Sequence, residues 1–301
     1  MTQWKDPEIA AIRDLLASRR PAAGAPAPTW AERRAGMESF LGQAPPPEGC
    51  KVEEVAIGGR PGERLTPRDA DSARVILYLH GGGYCIGSPK THRALAGRLA
   101  EIAGSTALVQ DYRMGPEVPF PGAVDDALAA YRQLLASHDP ARIVIAGDSA
   151  GGGLTLATAL AARAADLPMP AGLHVISPWA NLTQSGPSYI AKAQSDPMIT
   201  KLGLDEMASA YLGSADRAAS LASPMFGDYR GLPPILIQVG SEEMLLSDAI
   251  GVAEAAGLAN VDVNLRIWPE MIHVWHFFGG NLAAARAAIA EAGEWIKARQ
   301  G

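Results

Sequence analysis

Cysteine is scarce in this chain of 301 residues, because only Cys50 and Cys85 occur. Two cysteines cannot build the disulfide framework that stabilises small secreted proteins, and they cannot supply a zinc site made of cysteine ligands. A single disulfide between them is left open, although two reduced thiols are the simpler interpretation. The scarcity argues against a disulfide-stabilised scaffold and against a cysteine-based metal site.

An excess of positive charge is also missing. Lysine and arginine number 26 against 32 for aspartate and glutamate, which gives a net charge of −6. A general nucleic-acid binder carries a basic stripe, whereas the densest basic pairs here are only Arg19-Arg20 and Arg33-Arg34. We therefore predict no nucleic-acid partner.

No hydrophobic run is long enough to cross a bilayer, which takes about 20 apolar residues. One of the longest covers residues 151–162 and stops at Arg163. The start, MTQWKDPEIA, mixes acid and base and lacks the apolar centre of a secretory signal. The hydrophobic fraction of 48% excludes global disorder. These features predict a soluble, cytoplasmic protein with no membrane partner.

From residue 51 onward, short β-rich runs alternate with alanine-rich helical stretches. The run KVEEVAI is typical of a strand, and VILYL and IVIA are apolar throughout, as expected for strands covered on both faces. This alternation predicts the α/β class, with a mostly parallel sheet between helices. The predicted strands are 51–57, 74–79, 107–111, 142–146, 173–176, 234–239 and 261–267, and the predicted helices are 90–103, 123–136, 150–165, 246–256 and 281–299.

Two segments differ from this pattern. Residues 1–50 contain predicted helices over 6–19 and from Thr29 through Leu41, separated by PAAGAPAPTW and followed by QAPPPEG. Because these helices precede every strand, we predict an N-terminal part at 1–50 appended to an α/β domain at 51–301. Residues 180–225 are too long for a simple crossover and contain one predicted helix, 202–212. We expect them to form an insertion beside the strand ends, where α/β proteins bind ligands.

The strongest local motif is Gly147-Asp148-Ser149-Ala150-Gly151, which lies between the strand RIVIA and a helix. In a G-x-S-x-G motif, a sharp strand-to-helix turn lifts the serine hydroxyl above the sheet. The helix that follows directs free N–H groups at developing negative charge. The motif alone leaves a glycine-rich packing turn open, and it makes Ser149 the candidate nucleophile.

The second motif is HGGGY at 80–84, directly after the strand VILYL. A glycine loop at a strand end exposes backbone N–H groups that can bind an oxyanion. A phosphate loop is excluded because neither Lys-Ser nor Lys-Thr follows and the Rossmann glycine spacing is absent. A simple tight turn remains the alternative. His80 is predicted to be a hydrogen-bonded structural histidine and not a base.

Two loops further along the chain complete an order of serine, acid and histidine. The sequence SEEML follows the strand PILIQVG, and PEMIH follows the strand that ends near Trp268. Glu243 and His273 are therefore expected on the same side of the sheet as Ser149, in the order typical of α/β-hydrolases. In chymotrypsin-like proteases the histidine and the aspartate precede the serine, so GDSAGG does not indicate that class here.

Together these motifs make the chain resemble the hormone-sensitive-lipase family of α/β-hydrolases, in particular its bacterial esterases. The resemblance covers residues 50–300 and rests also on DYRMGPEVPFP, SPWANLT, SDPMIT and PEMIHVWHFF. It implies Ser149 as the nucleophile and His273 as the base. It implies the backbone N–H groups of Gly82, Gly83 and Ala150 as the oxyanion hole, and a cap built from the N-terminal helices and the 180–225 insertion.

The chain departs from the family pattern within the expected triad, because Glu243 stands where the third member is usually aspartate, and outside it at Asn181 and at Met114-Gly115. The separation of 30 residues between Glu243 and His273 is the family's usual spacing. A glutamate can equally accept the imidazole N–H and stabilise the imidazolium. Asp248 is the alternative acid. His273 and His276 lack the H-E-x-x-H pattern, so no zinc site is predicted.

The sequence therefore predicts a carboxylesterase that works through a Ser-His-Glu triad and an acyl-enzyme, without a metal or organic cofactor. The resemblance adds a preference for short-chain esters. Two alternatives stay open, namely an amide or formamide hydrolase on the same scaffold and a receptor that binds a ligand without hydrolysing it. The expected partner is a small-molecule ester, and a homodimer is left open.

Overall fold

The computed structural model describes residues 5–19 and 27–301. Its strands are β1 (Lys51–Ile57), β2 (Arg60–Thr66), β3 (Asp71–Leu79), β4 (Ser105–Gln110), β5 (Ile143–Asp148), β6 (Gly172–Ile176), β7 (Ile235–Gly240) and β8 (Val263–Trp268). Its α-helices are α1 (Pro7–Ser18), α2 (Trp30–Leu41), α3 (Pro89–Ala103), α4 (Gly122–Leu135), α5 (Ala150–Ala164), α6 (Ser188–Ala191), α7 (Lys201–Leu212), α8 (Leu246–Leu258) and α9 (Ala283–Arg299).

The strands of the described residues form one sheet in the order β1-β2-β4-β3-β5-β6-β7-β8. Strand β2 pairs antiparallel with β1 and β4, and all the other pairings are parallel. The predicted α/β class with a mostly parallel sheet is confirmed. Because the parallel strands point the same way, the loops after β3, β5, β7 and β8 meet at one edge of the sheet.

The apolar strand sequences are explained by helices on both faces of the sheet. In β3, Val75, Leu77 and Leu79 belong to one buried cluster, with residues of α4, α5 and α8. The alternate residues Ile76 and Tyr78 belong to a second buried cluster, with residues of α3 and α9. Successive side chains of a strand point to opposite faces, so a strand covered on both sides must be apolar at every position.

The sequence patterns did not predict strand β2. Its sequence, RPGERLT, contains a proline, a glycine and a glutamate, which strands disfavour, and two arginines that interrupt any apolar alternation. The strand forms because β1 and β4 flank it and because Arg93 of α3 pairs with the buried Glu63. Both conditions are long-range, so no local pattern could reveal them.

Helix α1 begins with Asp6 as its N-cap, followed by Pro7 in the first turn, a favourable start for a helix. Its apolar stripe of Ile9, Ile12 and Leu16 is buried in a cluster that also contains Met271, Ile272 and Trp275. The N-terminal part therefore packs on the loop that carries His273. Most of the predicted proline-rich break falls in residues 20–26, outside the described residues.

Helix α2 starts at a capping box formed by Thr29 and Glu32. Its Arg33 pairs with Glu206 of α7 at 2.9 Å, so the N-terminal part touches the predicted insertion. Among the described residues, no helix combines the length and apolarity required to span a bilayer.

Candidate active site

Ser149 occupies the single residue between the end of β5 and the start of α5, with φ 54° and ψ −121°. A positive φ is strained for a residue with a side chain. The turn is held on both sides, because the Ser149 N–H donates to the Ile176 carbonyl and the Trp179 N–H donates to the Ser149 carbonyl, each at 2.8 Å. A Cβ atom on Gly151 would overlap the carbonyl oxygen of Leu79, so the motif needs glycine there.

His273 brings the serine and an acid into one hydrogen-bonded chain. Its Nε2 lies 2.9 Å from the Ser149 hydroxyl oxygen, and its Nδ1 lies 2.9 Å from Oε2 of Glu243. Glu243 is in the loop between β7 and α8, and His273 is in the loop after β8. The arrangement suits a proton transfer from Ser149 to His273, with the carboxylate holding the ring in the required tautomer.

Glu243 is fully buried, and its second oxygen also has partners. Oε1 accepts a hydrogen bond from the Ser177 hydroxyl at 2.8 Å and another from the Gly240 N–H. Ser177 also accepts from the N–H of Val274, next to His273. The contact of Ser177 with Glu243 was not predicted from local patterns, where the only signal was the place of Ser177 at the start of SPWANLT.

The alternative acid, Asp248, points away from His273. Its Oδ2 accepts hydrogen bonds from the N–H groups of Ala180 and Asn181 at 3.0 and 2.8 Å, and from the Tyr189 hydroxyl at 3.1 Å. Burial raises the pKa of Asp248 to about 8, although these hydrogen bonds oppose the shift. Asp248 thus fixes the start of the 180–225 segment, and Glu243 is the carboxylate beside the imidazole.

Burial lowers the pKa of His273. The hydrogen bond to Glu243 and the negative charge of that carboxylate raise this pKa by more than burial lowers it, so the pKa is raised overall. Burial also raises the pKa of Glu243, against the opposing effect of His273. His80 contrasts with His273, because burial lowers its pKa to about 3. Its ring hydrogen-bonds to the Gly81 carbonyl and stacks on Tyr112, in keeping with the predicted structural role.

The HGGGY loop lies beside the serine at the end of β3. Gly82 and Gly83 have φ of 115° and 61°, which favour glycine. Among the described residues, the N–H groups of Gly82, Gly83 and Ala150 donate no backbone hydrogen bond. These three groups are therefore free to bind a substrate oxygen. His276, three residues after His273, is buried, and its Nε2 lies 3.0 Å from the side-chain oxygen of Gln238.

The chain is similar in sequence to known hydrolases. A model of the alpha/beta hydrolase fold matches residues 76–277. An acetyl-hydrolase from Streptomyces hygroscopicus is 45% identical over 248 residues, which cover 82% of this chain and 83% of that protein.

Solved structures show a similarity over almost the whole chain. An esterase from the bacterial hormone-sensitive lipase family is 40% identical with a TM-score of 0.95, covering 99% of this chain and 100% of that one. A hormone-sensitive lipase from a metagenome library is 44% identical with a TM-score of 0.94, covering 97% and 98%.

Proposed function

This chain belongs to the α/β-hydrolase fold family, within its bacterial hormone-sensitive-lipase esterases, and on that premise we propose that Ser149, His273 and Glu243 are its catalytic triad. The chain is a carboxylic-ester hydrolase. The observation that carries the proposal is the continuous hydrogen-bonded chain from Ser149 through His273 to Glu243, with 2.9 Å at each step.

In the proposed reaction, the Ser149 oxygen attacks the ester carbonyl while His273 Nε2 takes the hydroxyl proton. The N–H groups of Gly82, Gly83 and Ala150 stabilise the resulting oxyanion. The tetrahedral intermediate collapses, the C–O bond to the alcohol breaks, and His273 returns the proton to the leaving alkoxide. A water molecule then repeats these steps on the acyl-enzyme, releasing the carboxylic acid and free Ser149.

The receptor alternative requires a chain without a working base. Here His273 lies within hydrogen-bond distance of Ser149, which favours catalysis over simple binding. An amide hydrolase would use the same groups, so anilide analogues of the best ester are assayed beside it. We expect ester turnover to be the faster of the two.

We also propose that residues 1–50 and the 180–225 insertion form a cap over the site. The ion pair between Arg33 and Glu206 joins the two segments. Met207 of α7 packs so closely against Gly83 that a Cβ atom on this glycine would overlap the Met207 sulfur. This contact limits the room beside the oxyanion loop and supports a preference for short acyl chains.

A series of p-nitrophenyl esters from acetate to dodecanoate tests the acyl preference. We expect kcat/KM to be highest for acetate or butyrate and to be lower by about tenfold or more for dodecanoate, since one poorly accommodated group costs about 1–3 kcal/mol. A maximum at the longest chains would contradict the short-chain proposal without affecting the triad.

The pH dependence of kcat/KM tests the base. His273 must be neutral to accept the serine proton, so activity is lost as pH falls through its pKa. Because Glu243 raises that pKa overall, we expect kcat/KM to rise with pH with a midpoint above about 6.5 and then to level off. A single-proton midpoint well below 6 would be incompatible with His273 as the base.

A further inference from the structure

The buried carboxylate of Asp148 connects the nucleophile turn to the glycine loop. Asp148 directly precedes Ser149, and it is almost fully buried. Its Oδ1 accepts hydrogen bonds from the Tyr78 hydroxyl at 2.8 Å and from the Gly81 N–H at 3.2 Å. Gly81 in turn precedes Gly82, whose N–H is a proposed oxyanion donor. The acid of one motif therefore binds the backbone of the other.

His92 closes the same contact from the other side. This fully buried residue lies in the first turn of α3, and its Nε2 is 3.1 Å from the Gly81 nitrogen and 3.3 Å from Asp148 Oδ1. Its Nδ1 lies 2.7 Å from the Thr91 hydroxyl and 3.2 Å from the Ser88 carbonyl. If Nδ1 carries the proton, Nε2 accepts a hydrogen bond from the Gly81 N–H. If Nε2 carries the proton, it donates to the Asp148 carboxylate, and the Gly81 N–H donates to that carboxylate as well. The Gly81 N–H keeps a buried acceptor in both tautomers.

The glycine loop needs such a contact because it has few side chains of its own with which to pack. Residues Gly82, Gly83 and Gly87 all have positive φ, and a glycine-rich backbone loses the most conformational freedom when it is ordered. Oxyanion donors stabilise a transition state only if they are held in place before the reaction. A donor displaced by about 1 Å loses much of its effect.

We propose that Asp148 and His92 are positioning residues that set the distance between Ser149 and the oxyanion donors Gly82 and Gly83. The proposal rests on the proposed function, since it assigns these residues a role in the same reaction. Neither side chain touches the substrate. Each side chain holds the Gly81 N–H. Because Asp148 directly precedes Ser149, its contact ties the glycine loop to the turn that carries the nucleophile.

The test compares three variants that change separate parts of this arrangement. His92→Leu removes the imidazole, which accepts from Gly81 in one tautomer and donates to Asp148 in the other. His92→Gln replaces it with an amide that can accept from Gly81 or donate to Asp148. Tyr78→Phe is the matched control, because it removes another hydrogen bond of the same carboxylate and leaves both Gly81 contacts intact. Active sites are counted with a nitrophenyl alkylphosphonate, which transfers its phosphonyl group to the Ser149 oxygen and releases one nitrophenolate for each site.

Three quantities are measured for each variant, namely kcat per counted site, KM, and the dissociation constant of an alkyl boronic acid that binds serine as a transition-state analogue. For His92→Leu we expect kcat per site to fall about 10²-fold, the scale expected when a catalytic group is displaced by about 1 Å. The boronic acid should bind more weakly in parallel, and KM should stay within about threefold because ground-state binding is unaffected. His92→Gln should recover most of the loss, and Tyr78→Phe should lower Tm while keeping kcat within about threefold.

An unchanged kcat per site in His92→Leu would overturn the proposal. Equal losses of kcat in His92→Leu and Tyr78→Phe would also overturn it. Either result would mean that the cluster has a purely structural role. If His92→Leu does not fold, the comparison of His92→Gln with Tyr78→Phe decides, and a larger loss of kcat in Tyr78→Phe overturns the proposal. Failure of the phosphonate to label the wild-type enzyme at Ser149 would instead reject the proposed triad.

Discussion

Replacing Ser149 with alanine should lower kcat by about 10⁶-fold, the scale seen when the nucleophile of a serine hydrolase is removed. The substitution deletes the only atom that forms the acyl-enzyme bond, whereas His273, Glu243 and the oxyanion donors remain. Alanine also fits the turn at Ser149, whose hydroxyl has His273 as its hydrogen-bond partner. The Tm should therefore change little. The measurement is the steady-state rate on a short-chain aryl ester, together with a thermal melt.

Ser137→Ala is the control for this experiment. Ser137 lies just after α4, where its hydroxyl bonds to the Leu134 carbonyl and to His138, away from the proposed site. Its substitution should leave kcat unchanged. Turnover by purified Ser149→Ala within a hundredfold of the wild type would reject Ser149 as the nucleophile.

Glu243→Gln should lower kcat by about 10⁴-fold, the loss seen in a protease when the triad aspartate becomes asparagine. The amide keeps the shape of the side chain but removes the charge. To keep a hydrogen bond at Nδ1, either the amide oxygen accepts from a ring without electrostatic support, or the amide N–H forces the wrong tautomer on His273. The first case also lowers the pKa of His273, since the Glu243 charge contributes to its raised value. The pH midpoint of any residual activity should therefore move downward.

Asp248→Asn is the matched comparison, because both carboxyls are buried and lie five positions apart. Burial raises the pKa of Asp248 to about 8, which favours the neutral form that asparagine resembles. An asparagine oxygen can still accept from Ala180 and Asn181, so kcat should change by less than about tenfold. If Asp248→Asn lost more activity than Glu243→Gln, the acid would have to be reassigned to Asp248.

Local sequence was sufficient for the fold class and for the two glycine motifs. Strands covered on both faces must be apolar throughout, and that pattern is visible in VILYL and IVIA without a structure. The turn at Ser149 requires glycine at 151 because the carbonyl oxygen of Leu79 approaches so closely. Such steric requirements act at fixed positions in the chain, so a motif records them directly.

Which of Glu243 and Asp248 lies beside His273 depended on the tertiary structure. Both follow the end of β7 at Gly240, by three and eight residues. The sequence spacing to His273 favours Glu243 without showing where either side chain points. Glu243 lies in the turn before α8 and reaches His273, whereas Asp248 lies in the first turn of that helix and binds the backbone at 180–181. The direction of a side chain follows from the conformation of the turn and the packing of the helix.

The hydrogen-bond partners of the site residues could not be predicted from local sequence patterns either. Ser177 is 66 residues from Glu243 along the chain, and Gly81 is 67 residues from Asp148. Strand β2, which the patterns missed, similarly depends on Arg93 at 30 residues from Glu63. The sequence by itself determined the elements whose residues must satisfy a local steric or periodic rule. Only the tertiary structure decided which buried polar groups meet, because a buried donor or acceptor needs a partner but its own sequence neighbourhood does not say where that partner lies.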